Sequence, residues 1–301
     1  MNAEATAAAA RVAARQKSLA IAALLLGAAA IAFAPIFVRL SDTSPTASAF
    51  WRVALSIIPL WLWVFASERG RGAKPAQPLP WKALILAGLF FAGDLAVWHV
   101  SIRFTSVANS TLEANFAPLF VTLGAWLLFR QKVSRLFLLA LCVTLAGGAL
   151  LIGPNIGGND KALLGDALGL LTAVFYAGYF LALKSATSSA STARIMAVNT
   201  SVAALLLLPY ALLTADIFMA QNFNGWLLLA GLALIPHVAG QSLIAYGFAH
   251  LPASFSSVSL LLQPVLAAIY AWALLGESMG PLQMAGGCVV LLGIYLAKRG
   301  S

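Results

Sequence analysis

Apolar residues run through this chain in ten stretches of about twenty, each separated from the next by a short polar segment. A hydrocarbon core about 30 Å thick takes roughly 20 helical residues to cross. Segments of that length lie at approximately 19–40, 46–66, 83–103, 107–128, 135–152, 164–184, 193–213, 226–247, 253–275 and 281–298. The pattern predicts an all-α integral membrane protein with ten transmembrane helices and no soluble part of domain size between them.

Composition adds the solvent. With 61% hydrophobic and 9% charged residues and a mean hydropathy of +0.93, a water-soluble fold would have too few charges to cover its surface. Cys142 and Cys288 both sit within apolar segments, where a small buried side chain explains them better than a disulfide or metal ligand. Arg11, Arg15 and Lys17 precede a first apolar run too long for a cleaved leader, so it reads as a retained helix. The formal charge of +9 would suggest nucleic acid in a soluble domain, but here the basic residues are spread over short loops. If the N-terminus is cytoplasmic, that face collects Arg69, Arg71, Lys74, Lys82, Arg130, Lys132, Arg135, Lys184, Arg194, Lys298 and Arg299, while the other keeps Arg39, Arg52, Arg103 and Lys161. The positive-inside rule therefore predicts both termini in the cytoplasm.

The two halves of the sequence repeat. A shift of 146 residues pairs Pro118 with Pro264, Trp126 with Trp272, Gln131 with Glu277, Cys142 with Cys288 and Gly147 with Gly293. A shift of 143 pairs Ala87-Gly88-Leu89 with Ala230-Gly231-Leu232. Five helices per copy force the second copy to lie inverted in the membrane, which predicts a 5+5 inverted-topology repeat around a central cavity. The expected organisation is a cytoplasmic segment at 1–18, a first repeat at 19–152, a periplasmic linker at 153–163 and a second repeat at 164–298. Prolines interrupt matching helices: Pro59 and Pro209 in the second and seventh, Pro118 and Pro264 in the fourth and ninth, with Pro35 roughly matched by Gly178. Each removes a backbone donor and crowds the preceding turn. Pro35, Pro118, Pro236 and Pro264 are the candidate hinges.

On these features, above all the patterns Pro118 to Gly147 and Pro264 to Gly293 with Gly276-Glu277 after the ninth helix, the chain resembles the EamA branch of the drug/metabolite transporter superfamily over nearly its whole length. The first copy departs from that pattern, carrying Arg130-Gln131 where the second has Gly276-Glu277. The overall arrangement looks most like the YddG-type amino-acid exporters. The resemblance implies a carrier of the bacterial inner membrane, with its cavity between the halves and the fifth and tenth helices peripheral.

Ionisable groups at bilayer depth are costly, so each is a candidate for function, with a structural ion pair as its rival. Asp94 and His237 fall near mid-helix and correspond under the 143 shift. Asp94 could instead neutralise Arg52 or Arg103, and His237 could be a neutral hydrogen-bonding residue. Helical spacing extends both points into stripes: Asp94 with Trp98, His99 with Arg103, and His237 with Gln241. A carboxylate beside an indole suits an ammonium group. Asn109, Glu113 and Asn115 make the fourth helix polar, as Ser256, Ser259 and Gln263 do the ninth. Glu113 and Arg52 are expected to form an ion pair, structural or gating. Phe33, Phe37, Phe175, Tyr176, Tyr179 and Tyr246 offer aromatic surface. Gly165 and Gly169, and Gly286, Gly287 and Gly293, serve close helix packing and leave the oligomeric state open.

An intramembrane enzyme would need a dense catalytic set; no second aspartate joins Asp94, and neither H-E-x-x-H, G-x-S-x-G nor a Walker lysine loop occurs. The sequence thus predicts a non-enzymatic secondary transporter of small organic solutes, most plainly an exporter of aromatic and other neutral amino acids by alternating access. Multidrug or nucleoside and purine efflux is the alternative. The expected substrate site comprises Asp94, Trp98, His99, Tyr176, Tyr179, His237, Gln241, Tyr246 and Gln263, with no metal, cofactor or nucleic acid. Its partners are the small-molecule substrate and the lipid bilayer, with a proton as candidate coupling ion.

Overall fold

The structure, a computed structural model, describes residues 3–69, 79–101, 104, 113–152, 160–276 and 279–300. The first span comprises Ala3–Ile31 and, after a break, Ala34–Leu40; the second is Pro45–Arg69, the third Trp81–Ser101, the fourth Ala117–Phe129 and the fifth Arg135–Ile152. The sixth is Asp160–Ala186 and the seventh Thr192–Thr214. The eighth joins Phe223–Leu232, a π-helical stretch Ala233–Gln241 and Ser242–His250; the ninth joins Ala253–Ser259 and Leu262–Leu275; the tenth is Pro281–Gly300. Among the described residues, eight spans have the length and apolarity to cross a bilayer by themselves, and two shorter apolar helices lie at Ala117–Phe129 and Arg135–Leu150. The first span reaches back to Ala3, so most of the expected N-terminal segment continues the helix. The expected start of the fourth span, like Arg103 and Asn109, lies outside the described residues.

Helices dominate because a backbone in lipid must satisfy its polar groups within its own segment. Their outward faces are bare hydrocarbon: Leu213 is 86%, Leu205 72% and Ile58 70% exposed, an arrangement that water would penalise and acyl chains do not. We call the side where the first span begins the near face, and the side carrying residues 41–44 and 215–222 the far face. On the far face these two connections are tied together: Ser44 N–H donates to Ile217 O (3.0 Å), Ile217 N–H to Ser44 Oγ (2.9 Å) and Gln221 N–H to Asp42 Oδ2 (2.9 Å).

The packing repeats. The third span lies on the sixth and seventh just as the eighth lies on the first and second, while the second–seventh and fifth–tenth pairs each relate a helix to its own copy. Across the fifth–tenth seam, a Cβ built on Gly147 would fall 2.6 Å from Val290 N, and one on Gly293 would fall 2.8 Å from Thr144 N. These contacts are one another's images under the 146-residue shift. The helix ends match as well: Arg130 (φ 53°) and Gly276 (φ 69°) both cap in the left-handed region, their N–H groups bonded to Ala125 O and Ala271 O. At Arg130 that conformation costs about 1–2 kcal/mol that glycine avoids.

Interruptions follow a local logic. Pro35 and Pro118 sit at the start of the segment after a break, and Pro264 lies in the first turn of its own, where a missing N–H leaves no helical bond unmade. Pro236 lies inside the π stretch, and the Ala233 carbonyl three residues before it receives the Ser56 hydroxyl at 3.1 Å, in competition with Arg52 O at 2.7 Å. Pro59 and Pro209 behave otherwise. The second and seventh spans run through them unbroken, as the sixth runs through Gly178, because neighbouring helices hold a span straight across one lost bond.

Candidate functional site

A cavity of about 350 Å³ lies between the halves. Its wall comes from the broken first span (Ile31, Ala34, Pro35, Val38), the start of the second (Pro45, Ala49, Arg52), the third (Phe91, Asp94, Leu95, Trp98), the turn before the fourth (Ala114, Asn115), and Thr172, Tyr176, Leu232, Gln241 and Gln263. The first and third spans thus face each other across open space. From Asp94 and Gln241 at mid-depth the lining reaches Pro45 near the far face. A smaller annex of about 30 Å³ adjoins it, sharing Ala114, Asn115, Tyr176 and Gln263 and bounded by Ala117, Pro118, Phe180, Ser257, Leu260 and Leu261.

Polar groups on this wall are only partly satisfied. The Arg52 guanidinium stands 5.9 Å from the centre of the Phe91 ring and interacts electrostatically with Asp94. Among the described residues no side chain hydrogen-bonds or ion-pairs with the Asp94 carboxylate, which borders the cavity. Arg52 Nε, Asn115 Nδ2 and Gln263 Nε2 are buried donors without acceptors; the Gln263 amide approaches the Tyr176 hydroxyl without reaching hydrogen-bond geometry. Orphaned buried donors are rare in folded proteins and mark sites completed by something else.

A second polar layer supports the wall. Tyr179, 1% exposed, donates its hydroxyl to Gln241 Oε1 at 3.2 Å and so orients that amide. His237 Nε2 lies 2.9 Å from Thr200 Oγ1, its ring 5.5 Å from that of Phe91, while its Nδ1 has no partner. Phe91 therefore sits as a lid between the cavity and the buried His237.

The structure gathers Arg52, Asp94, Trp98, Tyr176, Gln241, Gln263 and Pro35 on one cavity. Tyr179 and His237 stand behind its wall. Tyr246 is elsewhere: its ring lies 4.3 Å from that of His250, tilted against it, near the near-face end of the eighth span. The expected Glu113–Arg52 pair is not formed; Glu113 packs on Gly169 and faces Asp166 on the sixth span, while Arg52 turns to Asp94 and Phe91. The side chain of His99 and the whole of Glu277 lie outside the described residues. Phe91 and Asn115 were missed as wall residues. For Asn115 the signal was present: an amide just ahead of a proline near a helix start, Pro118, as Gln263 is ahead of Pro264. Among the described residues no group of three or more His, Cys, Asp or Glu side chains could hold a metal ion.

The near face is closed. Tyr179, Phe180, Leu183, Leu24 and Phe248 are at most 1% exposed, with the Phe180 and Phe248 rings stacked at 4.7 Å. Beyond them Lys184 Nζ donates to Phe248 O at 2.6 Å and Leu251 O at 3.0 Å, clamping the end of the eighth span to the sixth.

Two stretches of the chain, residues 18–153 and 163–299, match the model of the EamA-like transporter family. Over 281 residues, 92% of this chain and 96% of the relative, it is 26% identical to an uncharacterized transporter of Archaeoglobus fulgidus. Over 260 residues, 86% of this chain and 88% of the relative, it is 24% identical to the pseudopaline exporter CntI of Pseudomonas aeruginosa. A solved crystal structure superposes on 95% of this chain and 97% of its own at a TM-score of 0.76 and 17% identity, a likeness of fold.

Proposed function

The chain belongs to the EamA-like transporter family, and on that premise we propose that it exports amino acids, aromatic and other neutral ones, across the bacterial inner membrane by alternating access, with both termini cytoplasmic. The observation that carries this reading is the cavity itself: a carboxylate, a guanidinium, three amides and aromatic surface meet at mid-depth between two copies of one fold. A zwitterion with an apolar side chain complements such a wall without leaving net charge in the bilayer. Export is supported by the similarity to a named exporter.

Two inverted copies supply two mirror-related states. In this structure the first and third spans are parted by the cavity while their counterparts, the sixth and eighth, are in contact at the near face. Exchanging the two arrangements closes the far side and opens the near one, with flexing at the breaks beside Pro35, Pro118 and Pro264 and in the π turn around Pro236.

Vesicles reconstituted with the purified protein and loaded with labelled amino acids provide the test. Protein-dependent efflux of phenylalanine or other neutral amino acids is expected; efflux of nucleosides or cationic dyes with none of amino acids overturns the substrate reading. Accumulation against a gradient when a pH difference is imposed identifies proton coupling, since a uniporter of a neutral solute cannot concentrate it.

A further inference from the structure

The annex beside the main cavity has features that the substrate reading leaves unused. It lies where two half-helices begin, Ala117–Phe129 and Leu262–Leu275, each after a break in its span. These starts are equivalent under the repeat, so two half-helix starts converge on one small volume; the N–H groups of Phe116, Leu119, Leu261 and Gln263 are bonded within their own turns, which leaves the side-chain amides as the donors on offer. Asn115 precedes one segment and Gln263 lies in the first turn of the other; the side-chain nitrogen of each is fully buried and has no acceptor. The annex's volume of about 30 Å³, where one water needs about 10–15 Å³, holds a planar group of a few atoms, not a side chain. Neither Asp nor Glu is among its lining residues.

We propose that this annex is the carboxylate subsite of the transport cavity, with the Asn115 and Gln263 amides donating to the anion between the two half-helix N-termini. Asp94, whose carboxylate has no hydrogen-bond partner among the described residues, takes the ammonium group from the other side of Tyr176. Arg52 stays beside Phe91 and Asp94 as the counter-charge that keeps the wall neutral. The inference rests on the amino-acid reading for its physiological ligand, but the carboxylate subsite itself needs only an anion. It makes Asn115 and Gln263 specificity-determining: a substrate lacking its carboxylate loses both amide donors together.

Thermal unfolding of the purified protein in nanodiscs tests the subsite with three probes: L-phenylalanine, 3-phenylpropionate (carboxylate only) and phenethylamine (ammonium only). Wild type is expected to be stabilised by all three. Asn115→Leu and Gln263→Leu should each weaken phenylpropionate by roughly tenfold, as loss of one charge-assisted hydrogen bond does, and leave phenethylamine unchanged; Asp94→Asn should do the reverse. Should the leucine variants not fold, Asn115→Asp and Gln263→Glu place a repelling charge in the annex and are expected to abolish phenylpropionate binding while retaining phenethylamine. Equal loss of both probes in the Asn115 and Gln263 variants, unchanged phenylpropionate affinity in them, or no stabilisation of wild type by phenylpropionate overturns the proposal. Binding of phenylpropionate through these residues without transport of any amino acid leaves the subsite standing and removes the amino-acid reading instead.

Discussion

Replacing Lys184 by methionine keeps the apolar stem and removes the ammonium that holds Phe248 O and Leu251 O at 2.6 and 3.0 Å. The eighth span ends at His250, so both carbonyls belong to the unpaired last turn, where a cation is also favoured by the helix dipole. Charge-assisted hydrogen bonds contribute about 1.5–3 kcal/mol each; Lys184 is only half-buried, so water recovers part of that, leaving about 2 kcal/mol for the pair. If the clamp is broken when the near face opens, this energy biases the equilibrium between the two states by about 30-fold. The assay uses a cysteine-free background made by Cys142→Ser and Cys288→Ser, both at the outer surface and not buried as the sequence suggested, with Ser256→Cys as reporter. Ser256 is fully buried near the near face and its hydroxyl has no partner. Labelling by a water-soluble maleimide should accelerate by about 30-fold in Lys184→Met and stay close to the parent rate in Lys184→Arg. An unchanged labelling rate accompanied by a lower unfolding temperature would refute the reasoning, because Lys184 would then support the fold alike in both states.

Tyr179→Phe removes the donor to Gln241 and strands a buried amide oxygen; a loss of about 1–3 kcal/mol is expected in denaturant unfolding, together with a raised KM, and no loss in either would mean that Gln241 finds another partner. Gly293→Val drives a side chain into the Thr144 backbone, 2.8 Å from its nitrogen, and should destabilise by about 1–3 kcal/mol; an undiminished unfolding midpoint would show the fifth–tenth seam to be loose. Arg194→Ala breaks the ion pair with Glu68, at 2.5 and 2.8 Å, yet both side chains are about one-third exposed, so unfolding should shift by less than about 1 kcal/mol. A larger shift would place that pair in a drier setting than its exposure indicates.

The site residues separate according to what their position along the helix could convey. Asp94, Trp98, Gln241 and Gln263 are polar or amphipathic groups at bilayer depth, and the cost of leaving such groups in hydrocarbon makes them stand out in the sequence. Glu113 carries the same signal, but its partner depended on the rotation of a helix entered through a break, and the structure turns it to the sixth span, away from Arg52. Tyr246 shares the aromatic character of Tyr176, yet lies about one and a half turns further toward the near face than the Gln241 level and packs on His250. Phe91 looked like one apolar residue among many; only its position between Arg52 and His237 makes it a lid.

By itself the sequence determined the solvent, the ten spans and the internal duplication, because burial in lipid is a one-dimensional requirement: each segment must supply its own length of apolar helix and its own backbone hydrogen bonds. Tertiary structure alone decided which prolines break their helices, which polar groups meet, and where space is left between the halves. Pro59 and Pro236 are each one proline in one apolar helix, but only the second lies in a π turn, with a serine hydroxyl from across the interface bonded to the nearby Ala233 carbonyl. The annex depends still more on the fold, since it exists where two helix starts from the two halves of the chain are brought side by side by the pseudo-twofold axis.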